Sequence, residues 1–255
     1  MKLPLAGLGV LVTRPAHQSA RLCDLLAKQG ALPLSFPVLE ITGPEDPTAL
    51  RIVLTHLREF DLAIFVSPNA VNYAKDWIEA AGGLPPELAI AAVGQGSAHE
   101  LTRLGWPINI VPKGRFDSEG LLAEPRLADV KGQRVVIFRG VGGRELLAEE
   151  LTRRGATVVY AEVYRRIKPA IDPTELLHHL AWNKVHVAVV TSMEGLHNLY
   201  DLMGSAGRDW LCNVRLVVFS SRTAELAREL GLRGTILVAK QSSDAAVVET
   251  LIQTS

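Results

Sequence analysis

VLVTRPAHQSARLCDLLAKQGA, residues 10–31, has a second copy in the same chain, VVIFRGVGGRELLAEELTRRGATVV, residues 135–159. Arg14 maps onto Arg139 and Gly30 onto Gly155, both at an offset of 125. Two further pairs keep nearly that offset. DLAIFVSPNAVNYAKDW (61–77) matches HVAVVTSMEGLHNLYDL (186–202), setting Ser67 against Ser192, and AAVGQGSAHELTRLG (91–105) matches LVVFSSRTAELARELG (216–231), setting Ser97 against Thr223. Three segments held in register over a hundred residues mark an internal duplication.

Each segment reads as a buried strand, a short turn and an amphipathic helix. Val10–Thr13, Leu62–Val66, Arg134–Phe138, Val185–Thr191 and Val214–Phe219 are continuous apolar runs rich in β-branched residues, the pattern of parallel strands covered on both faces. Leu50, Val53, Leu54 and Leu57 form one helical stripe and Leu22, Leu25 and Leu26 another. Strands alternating with helices through short loops predict an α/β protein with two similar doubly wound parallel-sheet domains, flavodoxin/Rossmann-like. Pro33–Ile41 and Thr157–Ile167 are extended, occupy equivalent places in the two repeats, and read as connections between the domains. Asp46-Pro47 and Asp172-Pro173 each open the next helix.

Composition narrows the function. Of 255 residues 48% are hydrophobic, and 27 basic residues balance 27 acidic ones, so no bulk positive field exists to hold nucleic acid or an anionic membrane. Cys23 and Cys212 form neither a disulfide framework nor a zinc site, as fits a reducing cytoplasm. Lys2 precedes an apolar run from Leu3 to Val12 that contains Pro4, stops at Arg14-Pro15 and lacks a small-x-small cleavage site, which predicts a chain that is not exported. No run reaches the roughly 18 apolar residues that span a bilayer.

Ligands of doubly wound sheets bind beyond the carboxyl ends of the strands, where helix N-termini present free N–H groups. The turns there are Thr13-Arg14-Pro15, Ser67-Pro68-Asn69, Gly94–Ser97, Arg139–Arg144, Thr191-Ser192 and Ser220–Thr223. Ser67 and Ser192 read as helix caps, and the same open helix ends can also receive a carboxylate. Gly94-x-Gly96 and the Gly140–Gly143 loop match neither GxGxxG nor GxxxxGK[ST], yet both permit close backbone approach to an anion. No HExxH, GxSxG or metal-spaced His/Asp cluster occurs, and the seven histidines read as surface residues. Tyr164, in the extended EVYRR run, reads either as a core tyrosine or as a phenol able to donate a proton to a leaving group.

These motifs, VLVTRP with Gln18 and the Gly30 stop, DLAIFVSPNAV, AAVGQGSAHEL, RGVGGRELL, VYRR, VVTSMEGL and SSRTAELARELG, cover nearly the whole chain, and together the sequence resembles the uroporphyrinogen-III synthase family. The resemblance implies two α/β domains joined by a two-stranded β linker with the active site in the interdomain cleft: a discontinuous domain of residues 1–36 plus 169–255, and a second of 37–168. It implies a cofactor-free, metal-free lyase of tetrapyrrole biosynthesis (haem, chlorophyll, cobalamin), cytoplasmic and monomeric. Such enzymes cyclise hydroxymethylbilane, a linear tetrapyrrole with eight carboxylates, through an azafulvene and a spiro intermediate that inverts ring D, releasing water. A transient contact with hydroxymethylbilane synthase, which makes the unstable substrate, is part of the same expectation.

Carried over by position, Tyr164 and Thr223 are the expected catalytic residues. Arg14, Ser67, Gly94, Ser97, Arg139, Gly140, Ser192 and Ser220 are the expected substrate contacts. Ser97 stands where many relatives have threonine and keeps the hydroxyl; Val66 stands where many have threonine and loses it. Two other readings stay open: a non-catalytic small-molecule-binding or sensor protein of the same fold, and a nucleotide-dependent transferase.

Overall fold

The computed structural model describes residues 3–254; Lys2, which heads the apolar run at the start, lies outside them. Along the chain come β1 (Gly9–Val12), α1 (Ala16–Lys28), β2 (Leu32–Ser35), β3 (Glu40–Thr42), α2 (Thr48–Thr55), β4 (Leu62–Phe65), α3 (Pro68–Ala80), β5 (Ala89–Ala92), α4 (Gln95–Arg103) and α5 (Ser118–Leu122). They continue with β6 (Arg134–Gly140), α6 (Leu146–Arg153), β7 (Thr157–Ile167), α7 (Thr174–Ala181), β8 (Val187–Val190), α8 (Met193–Asn213), β9 (Arg215–Val218), α9 (Ser221–Glu229), β10 (Ile236–Val238) and α10 (Asp244–Gln253). The chain divides into two compact units, one running up to Glu40 and resuming at Ile167, the other comprising Ile41–Arg166.

The first unit holds a sheet in the order β10-β9-β8-β1-β2, which within the unit is the flavodoxin-like order 2-1-3-4-5. The second holds β3-β7-β6-β4-β5. The chain therefore passes between the units within β3 and at the end of β7, and these two strands are neighbours.

The duplication survives down to strand register. Val10 pairs with Val187 where Val135 pairs with Leu62, and Val10 pairs with Pro33 where Val135 pairs with Val158. Leu62 opposite Ala89 repeats as Val187 opposite Arg215. The isolated bridge from Ala91 to Ile110 stands where β10 pairs Leu237 with Val217. The opening segment of each repeat thus pairs with the later strands of the other: β1 joins β8, and β6 joins β4.

Alternate residues of each central strand fill separate cores, as a parallel strand covered on both faces requires. In the first unit Leu11, Ala188, Val190 and Leu216 pack on one side, and Val10, Val12, Val187 and Val217 on the other. In the second, Ala63, Phe65, Val136 and Phe138 face one helical layer, and Leu62, Ile64, Val135 and Ile137 the other. Phe65 and Phe138 stack with ring centroids 4.6 Å apart. Leu50, Val53, Leu54 and Leu57 are buried as the stripe predicts; in α1, Leu22 and Leu26 are buried and Leu25 is half-buried.

The two Asp-Pro pairs differ from expectation by one position. Pro47 and Pro173 precede the first helical residue, and Asp46 and Asp172 accept the amide hydrogens of Thr48 and Thr174, each at 2.9 Å. The apolar run at the start is absorbed into a turn that buries Leu5 and into β1. Among the described residues no helix is long and apolar enough to cross a membrane.

Candidate functional site

The strand ends carry the candidates in two sets, one per unit. Arg14, Ser192, Ser220 and Thr223 follow β1, β8 and β9, which are adjacent; Ser67, Gly94, Ser97, Arg139 and Gly140 follow or end β4, β5 and β6, also adjacent, and Tyr164 lies on β7 beside β6. In a parallel sheet this puts each set along one edge, at the helix N-termini.

The serines cap their helices. Ser67 Oγ accepts from Ala70 N at 3.1 Å, Ser192 Oγ from Gly195 N at 3.0 Å, and Ser220 Oγ from Thr223 N at 3.2 Å. All three have the extended backbone of an N-cap, with φ of −157°, −149° and −148°, and Gly94 shares it at −147° without a hydroxyl to offer. Thr223 is buried, and its hydroxyl lies 2.9 Å from that of Ser220. Ser97 is buried in the first turn of α4.

Both arginines are held by their own unit. Arg14 is paired with Asp244, each side chain 13% exposed, and its guanidinium lies 5.1 Å from the Phe219 ring centroid. Arg139 is buried; it donates to the carbonyls of Gly140 and Gly142 and to Glu145, and stacks 4.4 Å from the Tyr160 centroid. Gly143, with φ of +108°, brings backbone so close that a Cβ there would stand 3.0 Å from the Arg139 guanidinium. Each arginine already has an acidic partner: Arg14 ties α10 to the end of β1 through Asp244, and Arg139 holds the Gly140–Arg144 loop through Glu145 and the loop carbonyls.

Four of the second unit's set, Ser67, Arg139, Gly140 and Tyr164, meet at a depression of about 180 Å³ that Tyr160, Arg166, Ser118 and Arg144 also line. Whole-ligand sites span roughly 300–1,000 Å³, so this one takes a single group of a larger molecule. Gly94 and Ser97 are not among its lining residues. Tyr164, read from sequence as either a core tyrosine or a proton donor, is 2% exposed and packs with Tyr73, while its hydroxyl sits 3.2 Å from Ser67 Oγ at the depression. Arg166 Nη2 donates to the same phenol oxygen at 3.3 Å.

Beside it, Tyr160 donates its hydroxyl to Glu145. Burial, then that bond, push the Tyr160 phenol up to about 12. The bond from Tyr160, with Arg139 assisting, holds the Glu145 carboxyl below its ordinary value. Tyr160, Glu145 and Ser118 were not among the residues read from sequence, Arg144 entered only as the end of a candidate turn, and Arg166 only as the last residue of the VYRR run. No group of three His, Cys, Asp or Glu able to hold a metal occurs among the described residues.

A family model described as uroporphyrinogen-III synthase HemD matches residues 20–249. The uroporphyrinogen-III synthase of Escherichia coli strain K12 is 35% identical over 96% of this chain and all of its own length, and that of Salmonella typhimurium strain LT2 is 38% identical with the same coverage. Solved structures of the uroporphyrinogen III synthase of Thermus thermophilus, as a mutant, and of the uroporphyrinogen-III synthetase of Helicobacter pylori share the fold. Their TM-scores are 0.60 and 0.61 at 21% and 15% identity, covering 97% of this chain and the whole of each of theirs. A match of this extent, to the family model and to full-length relatives alike, places the chain in the uroporphyrinogen-III synthase family.

Proposed function

We propose that the chain converts hydroxymethylbilane to uroporphyrinogen III, cyclising the linear tetrapyrrole with inversion of ring D and release of water. The observation that carries the reading is the Tyr164 phenol, buried but open at the depression and held by Ser67 and Arg166. A family whose substrate loses a hydroxyl to give a cationic azafulvene needs a positioned proton donor and little else by way of reacting groups.

Tyr164 is assigned to the departing hydroxyl. Thr223 and the cap serines Ser67, Ser192 and Ser220 stand at helix N-termini, whose amides and hydroxyls suit carboxylate arms without a bulk positive charge. Gly94, Ser97 and Gly140 belong to the same strand-end edge and offer backbone approach.

The test is a coupled assay in which purified protein meets freshly generated hydroxymethylbilane, the products are oxidised, and isomers I and III are separated by chromatography. Isomer III that scales with protein is the expected result. Isomer I alone, from protein shown to be folded, overturns the reading in favour of a binding protein of the same fold.

A further inference from the structure

We infer that Arg166 is a positioning residue for this reaction, fixing the Tyr164 phenol and offsetting the charge it acquires when it gives up its proton. The inference rests on the function proposed above. A guanidinium has donors only, so in the 3.3 Å contact the phenol oxygen must be the acceptor. The Arg166 guanidinium also lies 5.5 Å from the Tyr164 ring centroid, which braces an otherwise exposed side chain against the ring. The phenol oxygen also meets Ser67 Oγ at 3.2 Å, and that oxygen already accepts from Ala70 N. The phenol oxygen thus has two polar partners, and with Arg166 donating to it the phenol's own proton is available to Ser67 or to a group in the depression.

Charge makes Arg166 different from its neighbours. Arg139 is paired with Glu145, Arg144 lies 3.7 Å from Glu119, and Arg165 is paired with Glu45. Among the described residues no carboxylate comes within 4.0 Å of Arg166, so its charge is not cancelled by an ion pair. The side chain facing that unpaired charge is the phenol.

The step balances as follows. The C–O bond of the substrate's hydroxymethyl group breaks with both electrons going to oxygen, the Tyr164 proton joins that oxygen, and water leaves. The pyrrole nitrogen supplies its electron pair to the exposed carbon, leaving an azafulvenium cation on the substrate and a phenolate beside Arg166. The phenol regains a proton when the carbon that closes the macrocycle sheds its own.

The experiment measures kcat and KM for isomer III formation in wild type, Arg166→Ala, Arg166→Lys, Tyr164→Phe and the double variant Tyr164→Phe/Arg166→Ala, with a thermal melt for each. Arg166→Ala is expected to lower kcat about 10- to 100-fold, less than loss of a whole general acid, and to leave KM nearly unchanged. Arg166→Lys, which keeps the charge and loses the planar fork, is expected to recover part of that loss. In the Tyr164→Phe background Arg166→Ala is expected to have no further effect, because the two residues act as one unit. Unchanged kcat in Arg166→Ala, a rise in KM alone, or additive losses in the double variant would each overturn the inference and leave the synthase function standing. Wild-type protein that yields no isomer III would instead overturn the function.

Discussion

Gly140 lies against the face of Tyr164: a Cβ at position 140 would stand 2.5 Å from the ring's Cε2 and 2.6 Å from Cζ. No real Cβ tolerates that approach, so the absence of a side chain at 140 is what lets the phenol lie where it does. Gly140→Ala is expected to displace the ring, lowering kcat for isomer III about 100-fold through misplacement of the phenol, as an ångström-scale shift does. Overpacking should cost about 1–3 kcal/mol of stability. Activity and urea denaturation measured on one preparation separate the two effects.

Ser67 both caps α3 and touches the phenol, whereas Ser192, its repeat partner, caps α8. Each Ser→Ala change is expected to cost about 1 kcal/mol of stability from the lost cap. Only Ser67→Ala also frees the Tyr164 hydroxyl on one side, so its kcat should fall more than that of Ser192→Ala. Equal kcat values for the two variants would remove Ser67 from the proton donor's support.

Arg14 tests a different link, from ion pair to stability. With both side chains 13% exposed, and Arg21 a further 3.8 Å from Asp244, the pair lies between the exposed and buried extremes. Arg14→Ala is expected to lower unfolding free energy by roughly 1–3 kcal/mol and to leave KM unchanged. A large KM increase in a stably folded variant would return Arg14 to substrate binding.

Tyr160 offers a spectroscopic handle. An unfolded tyrosine ionises near 10.0, whereas in the fold Tyr160 stays protonated to about 12. Between those values the unfolded state has lost a proton that the native state retains, so this group makes the protein progressively less stable as pH rises from 10.0 towards about 12. Ultraviolet titration should show a late tyrosine ionisation that disappears in Tyr160→Phe. Glu145→Gln should bring it back towards 10.0 by removing the charged acceptor.

Much of this was legible in the chain itself, because the duplication constrains pairing twice over: an offset of 125 between Val10 and Val135 reappears as matched register in both sheets. The caps of α3 and α8 were legible too, since Ser67 and Ser192 each stand between an apolar strand and an amphipathic run. The depression was not. Alternation along β7 would put Tyr160 and Tyr164 on the same face. The structure separates them, Tyr160 with Val158 in one core and Tyr164 with Val163 in the other, because the register slips between Arg139 and Gly140. A bulge of this kind re-aims side chains and leaves no periodic trace. Arg166 escaped notice for a related reason: which of two consecutive arginines has an acid depends on Glu45, 120 positions before Arg165.

The chain builds the second unit without interruption from Ile41 to Arg166, but completes the first only on returning to it. During synthesis this sets a timetable. The amide of Gly9 waits for His186, 177 positions on, and β1 waits as long for β8. At the 5–20 residues per second of translation that delay is roughly 10–35 s. For that interval Val10, Leu11 and Val12 form an open strand edge with no partner on the β8 side, and the second unit, complete at Arg166, is able to close its own sheet before His186 is made. The aggregation risk of the nascent protein therefore falls on β1, the strand that waits longest for its partner.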